Sequence, residues 1–297
     1  GAGNRERKKV GVQMPREQTI LITGCSTGIG RATAERLAAA GHRVYATARS
    51  PESIADLEAG GCRTLGLDVT DEASMQAALA AIGEEAGGVD SLVNNAGYSQ
   101  SGAIETLDMG ALRRQFETNV FGLVRMTQLV LPGMRAKGRG RVVNISSMGA
   151  NFTFPGGGAY HATKYAVEAI SDALRYEVEG FGIDVVVIQP GAIRTEFDKA
   201  AIASLEHAGD ANDVYGEFNA SVGKATREAY EKGPLKLLGG EPDDVAKVIE
   251  KALVAKRPRT RYHVTPSATL LIGQSHLMPD RLWDRFNATQ FVKPGRG

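Results

Sequence analysis

The sequence has little cysteine, little net charge and no long apolar run, and each shortage excludes a class of protein. The two cysteines, Cys25 and Cys62, show neither metal-site spacing nor a disulfide framework, so we expect a reducing compartment, the cytoplasm. A formal net charge of +1 provides no basic surface for nucleic acid. No apolar run approaches the ~20 residues that a membrane span needs.

The five histidines show no metal-ligand spacing either, so we expect no metal site. Residues 1–15 are polar and basic, and no apolar signal region follows them. We expect this segment to be a leader, native or left from cloning, that lies outside the fold. Residues 16–297 are enough for one large α/β domain.

Short apolar runs alternate with helical patterns along most of the chain. This alternation favours right-handed crossovers between parallel strands. It predicts a single doubly wound, Rossmann-type α/β domain with a seven-stranded, mainly parallel sheet and helices on both faces. The strands are expected at residues 19–23, 43–48, 64–67, 91–94, 141–146, 184–189 and 261–264.

Two segments depart from this alternation. Residues 195–240 hold two amphipathic helical patterns with no strand between them, directly after the sixth strand. Ligands bind outside the carboxyl ends of parallel strands, so we expect a substrate lid there; a surface helical pair without a role is the alternative. Residues 265–297 form a C-terminal extension that packs either on its own domain or on a partner subunit.

A glycine-rich turn, Thr23-Gly24-Cys25-Ser26-Thr27-Gly28-Ile29-Gly30, joins the first strand to the first helix. Glycine lets the backbone approach a pyrophosphate, and the helix start offers free N–H groups. The spacing differs from G-x-G-x-x-G, and an ordinary strand-to-helix turn also contains glycine. A second turn, Asn94-Asn95-Ala96-Gly97, follows the fourth strand; its amides can tie strand ends together, and Gly97 leaves room for a ribose.

Tyr160 and Lys164 are four residues apart in a predicted helix, which places them on one face with Cβ atoms about 5–6 Å apart. A free tyrosine has a pKa near 10 and is a poor base at neutral pH. A neighbouring ammonium group favours the phenolate and brings the proton into working range. Tyr165, by contrast, has Ala169 at the same spacing.

Two further polar residues have catalytic interpretations. Ser147 follows the fifth strand, where its hydroxyl can hydrogen-bond a substrate oxygen that gains charge; Ser146 is the alternative. Asn119 lies within the predicted helix 112–137, a position that mildly disfavours asparagine and so favours a function.

In order and spacing, these motifs and the turn Pro190-Gly191-Ala192-Ile193-Arg194-Thr195 resemble the short-chain dehydrogenase/reductase family across residues 19–195. The resemblance implies that Tyr160 is the acid/base, Ser147 orients the carbonyl, and Lys164 holds the nicotinamide ribose and lowers the tyrosine pKa. It also implies that Asn119 anchors a water in a proton relay. The expected dinucleotide-binding residues are Gly24, Ser26, Thr27, Gly28, Ile29, Gly30, Arg49, Asp68, Val69, Asn95, Ala96, Gly97, Tyr160, Lys164, Pro190, Gly191, Ile193 and Thr195.

The end of the second strand bears on cofactor choice. An acidic residue there would bind the ribose 2′-hydroxyl and repel a 2′-phosphate. The sequence instead reads Thr47-Ala48-Arg49-Ser50, with a guanidinium suited to phosphate. We therefore expect NADP(H) in preference to NAD(H); a solvated surface charge is the alternative for Arg49.

Several other residues have competing interpretations. His161 is expected to point away from the Tyr160 face, and Cys25 to be a small side chain that fills a tight loop rather than a redox switch. Six apolar residues are candidates for the substrate pocket, although helix-core packing explains the last three equally well. They are Met148, Phe152, Phe154, Phe197, Phe218 and Tyr215.

With the resemblance, the residues predict an oxidoreductase that transfers a hydride between NADP(H) and a carbonyl or secondary alcohol. The lid and the extension are similar to those of family members that act on steroids, retinoids or other lipophilic alcohols; small ketones and acyl-chain carbonyls stay compatible. A cofactor-binding sensor or regulator is the alternative. The apolar helices 112–137 and 159–181 imply a homodimer or homotetramer, as such surfaces pair in this family.

Overall fold

The computed structural model describes residues 17–206, 214–231 and 237–295, so the expected leader lies outside the described residues. One sheet of seven strands, parallel throughout, forms the centre of the molecule. Its strands are β1 Thr19–Ile22, β2 Arg43–Ala48, β3 Arg63–Gly66, β4 Ser91–Asn94, β5 Gly140–Ile145, β6 Ile183–Gln189 and β7 Arg261–His263. The spatial order β3-β2-β1-β4-β5-β6-β7 confirms the doubly wound, Rossmann-type fold.

Helices cover both faces of the sheet. They are α1 Gly28–Ala39, α2 Glu72–Ala86, α3 Met109–Phe116, α4 Leu123–Lys137, α5 Gly158–Val178, α6 Phe197–Glu206, α7 Gly216–Glu231, α8 Pro242–Val254, α9 Pro266–Leu277 and α10 Asp280–Asn287. A 3₁₀ segment, Pro51–Gly60, follows β2 and has no counterpart in the sequence prediction.

The alternation of side chains in β1 explains why this strand is apolar at consecutive residues. Ile20 and Ile22 pack with Leu37 of α1 and Ile249 of α8 on one face of the sheet. Leu21 points to the other face, where it packs in the core that includes α2 and α4. Both faces of this strand are covered, so side chains that point to either face are buried, and apolar residues are favoured at consecutive positions.

The helix predicted over residues 112–137 is interrupted, which corrects that part of the sequence prediction. A π-helical turn, Glu117–Gly122, separates α3 from α4. In this turn Gly122 packs so closely that an added Cβ would lie 2.6 Å from the carbonyl oxygen of Val69. The turn therefore packs closely against the segment that follows β3. Single π-helical turns of this kind often occur at functional sites.

The segment after β6 leaves the sheet and returns to it at one place. Ile193 forms a bridge to Gly240, and the amide of Gly240 donates to the carbonyl of Ala192 at 2.9 Å. Between these ends, Leu205 of α6 packs with Phe218 and Val222 of α7. We call α6 and α7, the helices whose bounds the structure describes in this segment, the two-helix excursion; the segment that contains them is fixed beside the sheet at both ends.

The C-terminal extension packs on its own domain, which answers a question that the sequence left open. Ala268, Leu271 and Ile272 of α9 form a core with Phe152. The indole N–H of Trp283 donates to the carbonyl of Thr153 at 3.1 Å. Within the described ranges, no helix combines the length and the apolar character required to cross a membrane.

Candidate active site

The order of the strands creates a crevice at the carboxyl ends of β1 and β4. The chain runs outward from β1 through β2 to β3 and then returns to place β4 on the other side of β1. Open parallel sheets bind ligands at such a switch point. The glycine turn follows β1, and the Asn94–Gly97 turn follows β4, so the fold brings both predicted motifs to this crevice.

The glycine turn has the geometry of an anion-binding loop. Gly24 and Gly28 adopt φ values of +73° and +60°, which only glycine adopts without strain. An added Cβ on Gly24 would lie 2.9 Å from the Cα of Ala96. Thr27, which caps α1, makes no side-chain hydrogen bond to the helix. The first N–H groups of α1 are thus not capped by that side chain, and uncapped helix starts of this kind suit an anion.

Asn95 fixes the two turns to each other. Its side-chain amide donates to the carbonyls of Thr23 and Gly24, both at 2.9 Å. In return, Thr23 Oγ1 accepts from the amides of Asn95 and Ala96 at 3.0 Å. The expectation that amides here tie strand ends together therefore matches the geometry.

A cavity of about 660 Å³ runs along this edge of the sheet. Of the catalytic and dinucleotide-binding residues proposed from the sequence, Gly30 and Asn119 do not line it, and all the others do. Gly30 lies behind the turn: its added Cβ would be 2.3 Å from the carbonyl oxygen of Gly24 and 2.4 Å from Asn95 Nδ2. Its place in the motif is therefore explained by the close packing of α1 against the turn.

Tyr160 and Lys164 meet at the end of the cavity. Lys164 Nζ lies 5.7 Å from the centroid of the Tyr160 ring and donates to the carbonyl of Ile145 at 2.8 Å. Burial lowers the pKa of Lys164 from 10.5 to about 8, while the charge of Glu168 opposes this shift. A buried ammonium beside a phenol that faces a cavity is an arrangement suited to proton transfer.

The side chain of Asn119 makes contacts that the sequence did not predict, and its expected part in a proton relay stays a prediction. Its Oδ1 accepts from the amide of Tyr98 at 3.1 Å, and its Nδ2 donates to the Tyr98 carbonyl at 2.9 Å and to Thr163 Oγ1 at 3.1 Å. Thr163 Oγ1 donates in turn to the carbonyl of Tyr160 at 2.7 Å. The Asn119 side chain thus links the loop after β4 to the first turns of α5 and does not face the cavity.

Ser146 and Ser147 both line the cavity at the end of β5. Ser147 Oγ accepts from the amide of Gly149 at 3.1 Å, which leaves its hydrogen to donate elsewhere. Ser146 is buried, and its Oγ has no hydrogen-bond partner in the described part of the chain. Both Ser146 and Ser147 therefore remain candidates for the hydroxyl that contacts a substrate oxygen.

His161 also lines the cavity, although the helical spacing turned it away from the Tyr160 face. Its Nδ1 lies 2.8 Å from the carbonyl oxygen of Phe152, and burial lowers the pKa of the ring. An added Cβ on Gly149 or Gly157 would contact this ring at 2.9 Å. The loop that leads into α5 folds back over the helix, and the glycines in that loop were the signal that sequence reasoning missed.

The end of the cavity beside β2 and β3 is polar. Arg49 lines it with an exposed side chain. Asp68 Oδ1 accepts from the amide and the hydroxyl of Thr70, at 2.9 and 2.8 Å. The hydroxyl of Ser50 donates to Glu52 at 2.6 Å, and this bond lowers the pKa of that carboxyl. Arg49 therefore provides the cationic group at this end, as the sequence indicated.

The other end of the cavity is apolar. The Phe197 ring lies 5.3 Å from the Tyr160 ring, edge to face. Met148, Phe152 and Phe154 complete this wall, together with Val222 of α7 and Phe291 of the extension. Tyr215 and Phe218, which were also candidates, pack within the two-helix excursion instead. Among the described residues, no group of three or more His, Cys, Asp or Glu side chains is placed to hold a metal ion.

Comparisons with known proteins agree with this geometry. The profile of the family described as short chain dehydrogenase matches residues 18–205. A 3-ketodihydrosphingosine reductase of Bacteroides thetaiotaomicron is 38% identical over 89% of this chain and 94% of its own. An NADPH-dependent 3-dehydrocapnine reductase of Ornithobacterium rhinotracheale is 36% identical over 89% and 94% of the two chains. A solved short-chain dehydrogenase of Streptomyces avermitilis superposes with a TM-score of 0.73, at 34% identity over 92% and 95%.

Proposed function

Because the chain belongs to the short-chain dehydrogenase/reductase family, we propose that it is an NADP(H)-dependent oxidoreductase that interconverts a carbonyl compound and an alcohol, with Tyr160 as the acid/base. The pairing of Tyr160 with the buried Lys164 at the end of the cavity carries this proposal. A binding module has no use for a buried ammonium group beside a phenol, since desolvation of a charge is costly.

The residues present fit a nicotinamide dinucleotide. The turn around Gly24 and Gly28 has no room for side chains, and the first amides of α1 lie beside it. Arg49 and Asp68 line the end of the cavity where the adenosine part would lie, and Lys164 lines the end where the nicotinamide ribose would lie. When bound, the dinucleotide supplies or accepts the hydride.

The protein's own groups provide the proton chemistry. During reduction, the Tyr160 hydroxyl donates its proton to the carbonyl oxygen that becomes the alcohol. The Lys164 ammonium stabilises the resulting phenolate, which brings the tyrosine into working range at neutral pH. The Ser147 hydroxyl donates a hydrogen bond to the same substrate oxygen as charge develops there. The apolar wall with Phe197 keeps water from this point and so strengthens both interactions.

Replacement of Tyr160 by phenylalanine tests the proposal directly. The ring and its contact with Phe197 are retained while the proton is lost, so kcat should fall by roughly a hundredfold to ten-thousandfold. NADPH oxidation with a panel of ketones and aldehydes of graded size is the measurement. Tyr176→Phe, an exposed change on the same helix, is the matched control and should leave kcat unchanged.

Two other outcomes would contradict the proposal in different ways. Unchanged turnover by Tyr160→Phe would remove Tyr160 from the chemistry. Tight NADPH binding by the wild-type protein without turnover of any carbonyl compound or alcohol would favour a sensor or regulatory protein on this fold.

The preference for NADP(H) rests on Arg49 and on one relative. Arg49 lines the adenosine end of the cavity, and β2 ends without a carboxylate. The relative from Ornithobacterium rhinotracheale is named as NADPH-dependent. We expect kcat/KM for NADPH to exceed that for NADH by about tenfold or more, the usual contribution of a charge-assisted hydrogen bond. Equal or better use of NADH would contradict this preference.

The substrate is proposed to be an apolar ketone or its alcohol. Two relatives are named as reductases of a keto and a dehydro compound, and the wall opposite the polar end of the cavity is aromatic. We also propose a homodimer or homotetramer, because the apolar side chains Phe121, Tyr176 and Phe181 beside or on α4 and α5 are exposed. Light scattering on the purified protein would test the oligomeric state; the cytoplasmic location stays a prediction.

A further inference from the structure

A second cavity of about 660 Å³ lies beside the active-site cavity. Both cavities are lined by Phe152, Phe154 and Pro155, so these three residues form the wall between them. It is a cleft that opens to solvent, since Ile104, Asp280 and Asp284 in its lining are exposed. A cleft of this size directly behind the wall of a candidate active site is placed to hold a part of a ligand that the first cavity does not.

The lining of the second cavity suits a hydrocarbon. Its walls include Ile104 from the loop before α3, Phe218 from α7, and Met278 and Trp283 from the C-terminal extension. Ile104 is 66% exposed, an unusual state for an isoleucine beside a cavity. Such a surface gains free energy when it is covered by apolar atoms.

The charges around the second cavity restrict the ligand further. Asp280 and Asp284, one turn apart on α10, provide the charged side chains of its described lining. Both are carboxylates, so a ligand that ends in a carboxylate would be repelled. An uncharged chain meets no such penalty. The cavity therefore selects against fatty acids and their ω-carboxylated relatives.

The wall itself is held by aromatic contacts. The Phe154 ring lies 6.2 Å from His161 on the side of the active site, and 5.8 Å from Trp283 on the side of the second cavity. Ring contacts of this kind contribute only about a fewfold each to an equilibrium constant. The half-buried Phe154 ring also contacts Phe152 at 5.1 Å and Phe291 at 6.2 Å, so a rotamer shift that connects the two spaces has to be offset by the apolar contacts of the ligand that enters.

Resting on the proposed function, we propose that the second cavity binds the distal part of the substrate, an uncharged hydrocarbon chain that extends past Phe154 from the carbonyl at Tyr160. The active-site cavity has to hold the dinucleotide as well as the reacting end of the substrate, so a long chain needs space beyond the wall. Each methylene group that enters the second cavity should raise kcat/KM by about fourfold.

Trp283 provides a probe that does not depend on turnover. It is the single tryptophan of the chain, and it lines the second cavity and not the active-site cavity. The NADP⁺ complex, which cannot reduce a ketone, is titrated with unbranched ketones of about six to eighteen carbons, and tryptophan emission follows occupation of the second cavity. We expect the emission of Trp283 to shift with the long ketones and not with the short ones.

Ser275→Phe narrows the second cavity at a residue that does not line the active-site cavity. Ser275 is half-buried on α9 and lines the second cavity alone. This change should lower kcat/KM for the longest ketones by about tenfold or more, leave the shortest unchanged, and abolish the Trp283 response. His276→Phe, an exposed neighbour on the same helix, is the matched control and should behave as the wild type.

Several results would overturn the inference. A wild-type Trp283 signal that ignores chain length would do so without any variant. A Ser275→Phe variant whose kcat/KM falls equally for ketones of all lengths would also overturn it. So would a Ser275→Phe variant whose kcat/KM is unchanged for every ketone. If NADPH is never oxidised but long ketones still shift the emission of Trp283, the proposed function is wrong and the chain-binding cavity is supported. If NADPH is oxidised but no ketone shifts the emission of Trp283, the cavity proposal is wrong and the proposed function is supported.

Discussion

The two sides of the active-site cavity are built in different ways. The side that faces the dinucleotide, which we call the floor, consists of turns at the carboxyl ends of β1, β4 and β5 and is held by short hydrogen bonds such as those of Asn95. The side that faces the substrate, which we call the wall, is apolar and is held by ring contacts such as that between Phe154 and Phe291. Hydrogen bonds fix atoms to fractions of an ångström, whereas apolar packing tolerates changes of shape.

This difference matches what each side has to do. In the proposed mechanism the floor binds a group whose shape is the same in every turnover, and the Tyr160 hydroxyl has to meet the substrate oxygen within a narrow range of distances. The wall has to suit one substrate class, and the segments that form it lie outside the sheet. If the two sides are independent in this way, substitutions in the floor should change the Kd for NADPH and the rate of hydride transfer. Substitutions in the wall should change kcat/KM for the ketone.

The largest effect is expected from the buried charge in the floor. Burial holds the pKa of Lys164 at about 8, against 10.5 for an exposed lysine. Between these values the unfolded chain binds a proton that the folded chain has lost, so the free energy of unfolding rises with pH. In Lys164→Met this contribution is absent. The stability difference between wild type and variant should change by about 3 kcal/mol between pH 8 and 10.5, in favour of the wild type.

Urea unfolding of both proteins at a series of pH values is the measurement. Groups that do not contact Lys164 titrate alike in both proteins and cancel in the difference, and a Tyr160→Phe background in both proteins removes the coupled titration of the tyrosine. A difference that stays constant with pH would show that Lys164 is solvated, and would weaken its role beside Tyr160.

The next effect concerns the packing beneath the floor. In Gly30→Ala the new methyl group would lie 2.3 Å from the Gly24 carbonyl oxygen, so the turn has to move away from α1. We expect the Kd for NADPH to rise by about tenfold to a hundredfold, because overpacking costs about 1–3 kcal/mol and the displaced atoms are the proposed phosphate ligands. Binding is measured by NADPH fluorescence.

Gly83→Ala is the matched control for this change. Gly83 lies on an exposed face of α2, and an added Cβ there meets nothing within 4 Å. This variant should bind NADPH like the wild type and be more stable by about 1 kcal/mol, since alanine is the better helix former. If Gly30→Ala bound NADPH as tightly as the wild type, the glycine turn would adapt to the extra methyl group, and the floor would not be more rigid than the wall.

The floor could be predicted from the sequence to a much greater extent than the wall. Its residues lie next to strand ends, where parallel geometry brings them together whatever the rest of the chain does. Gly24, Asn95 and Ser147 line the cavity for this reason, while the spacing of Tyr160 and Lys164 along one helix places that pair. The positions that the sequence placed less well, Asn119 and His161, depend on a π-helical turn and on a loop that folds back, and neither has a local periodic signal.

The wall joins segments that are distant along the chain, so no local pattern predicts it. The amide of Ala103 donates to Asn219, 116 residues away, at 3.3 Å. The indole of Trp283 reaches Thr153 across 130 residues. The sequence identified the helical segments after β6 and the C-terminal extension as additions to the sheet. Which of their faces turn inward depends on contacts that form only after the sheet is complete.

A smaller and selective effect is expected in the wall. Phe291 lines the active-site cavity, lies 6.2 Å from Phe154 and packs against the two-helix excursion. Phe291→Ala should lower kcat/KM for apolar ketones by about tenfold through loss of one aromatic contact and its buried area, and leave the Kd for NADPH unchanged.

Val292→Ala is the control for the loss of an apolar side chain at this end of the chain. Val292 bonds to Ser221 Oγ through its backbone amide, so alanine keeps that contact. It should leave both parameters near their wild-type values. If Phe291→Ala weakened NADPH binding as much as ketone binding, floor and wall would not be separable.

The smallest effect is expected at Cys25, in the middle of the glycine turn. Its side chain is fully buried, its thiol donates to the carbonyl of Ile22 at 3.4 Å, and burial raises its pKa to about 12. The thiolate, which is the reactive form, is therefore scarce at neutral pH. Cys25→Ala keeps the backbone bond from residue 25 to Thr47 and should cost about 1 kcal/mol of stability with NADPH binding unchanged.

Alkylation by a maleimide sharpens this expectation. Cys62 is buried as well, and its pKa is raised to about 11 by burial, so neither thiol should react in the native protein while both react in denaturant. Inactivation of the wild type by peroxide that dithiothreitol reverses, and that Cys25→Ala escapes, would instead make the turn a redox switch. The floor would then be adjustable, and the contrast with the wall would rest on hydrogen bonding alone.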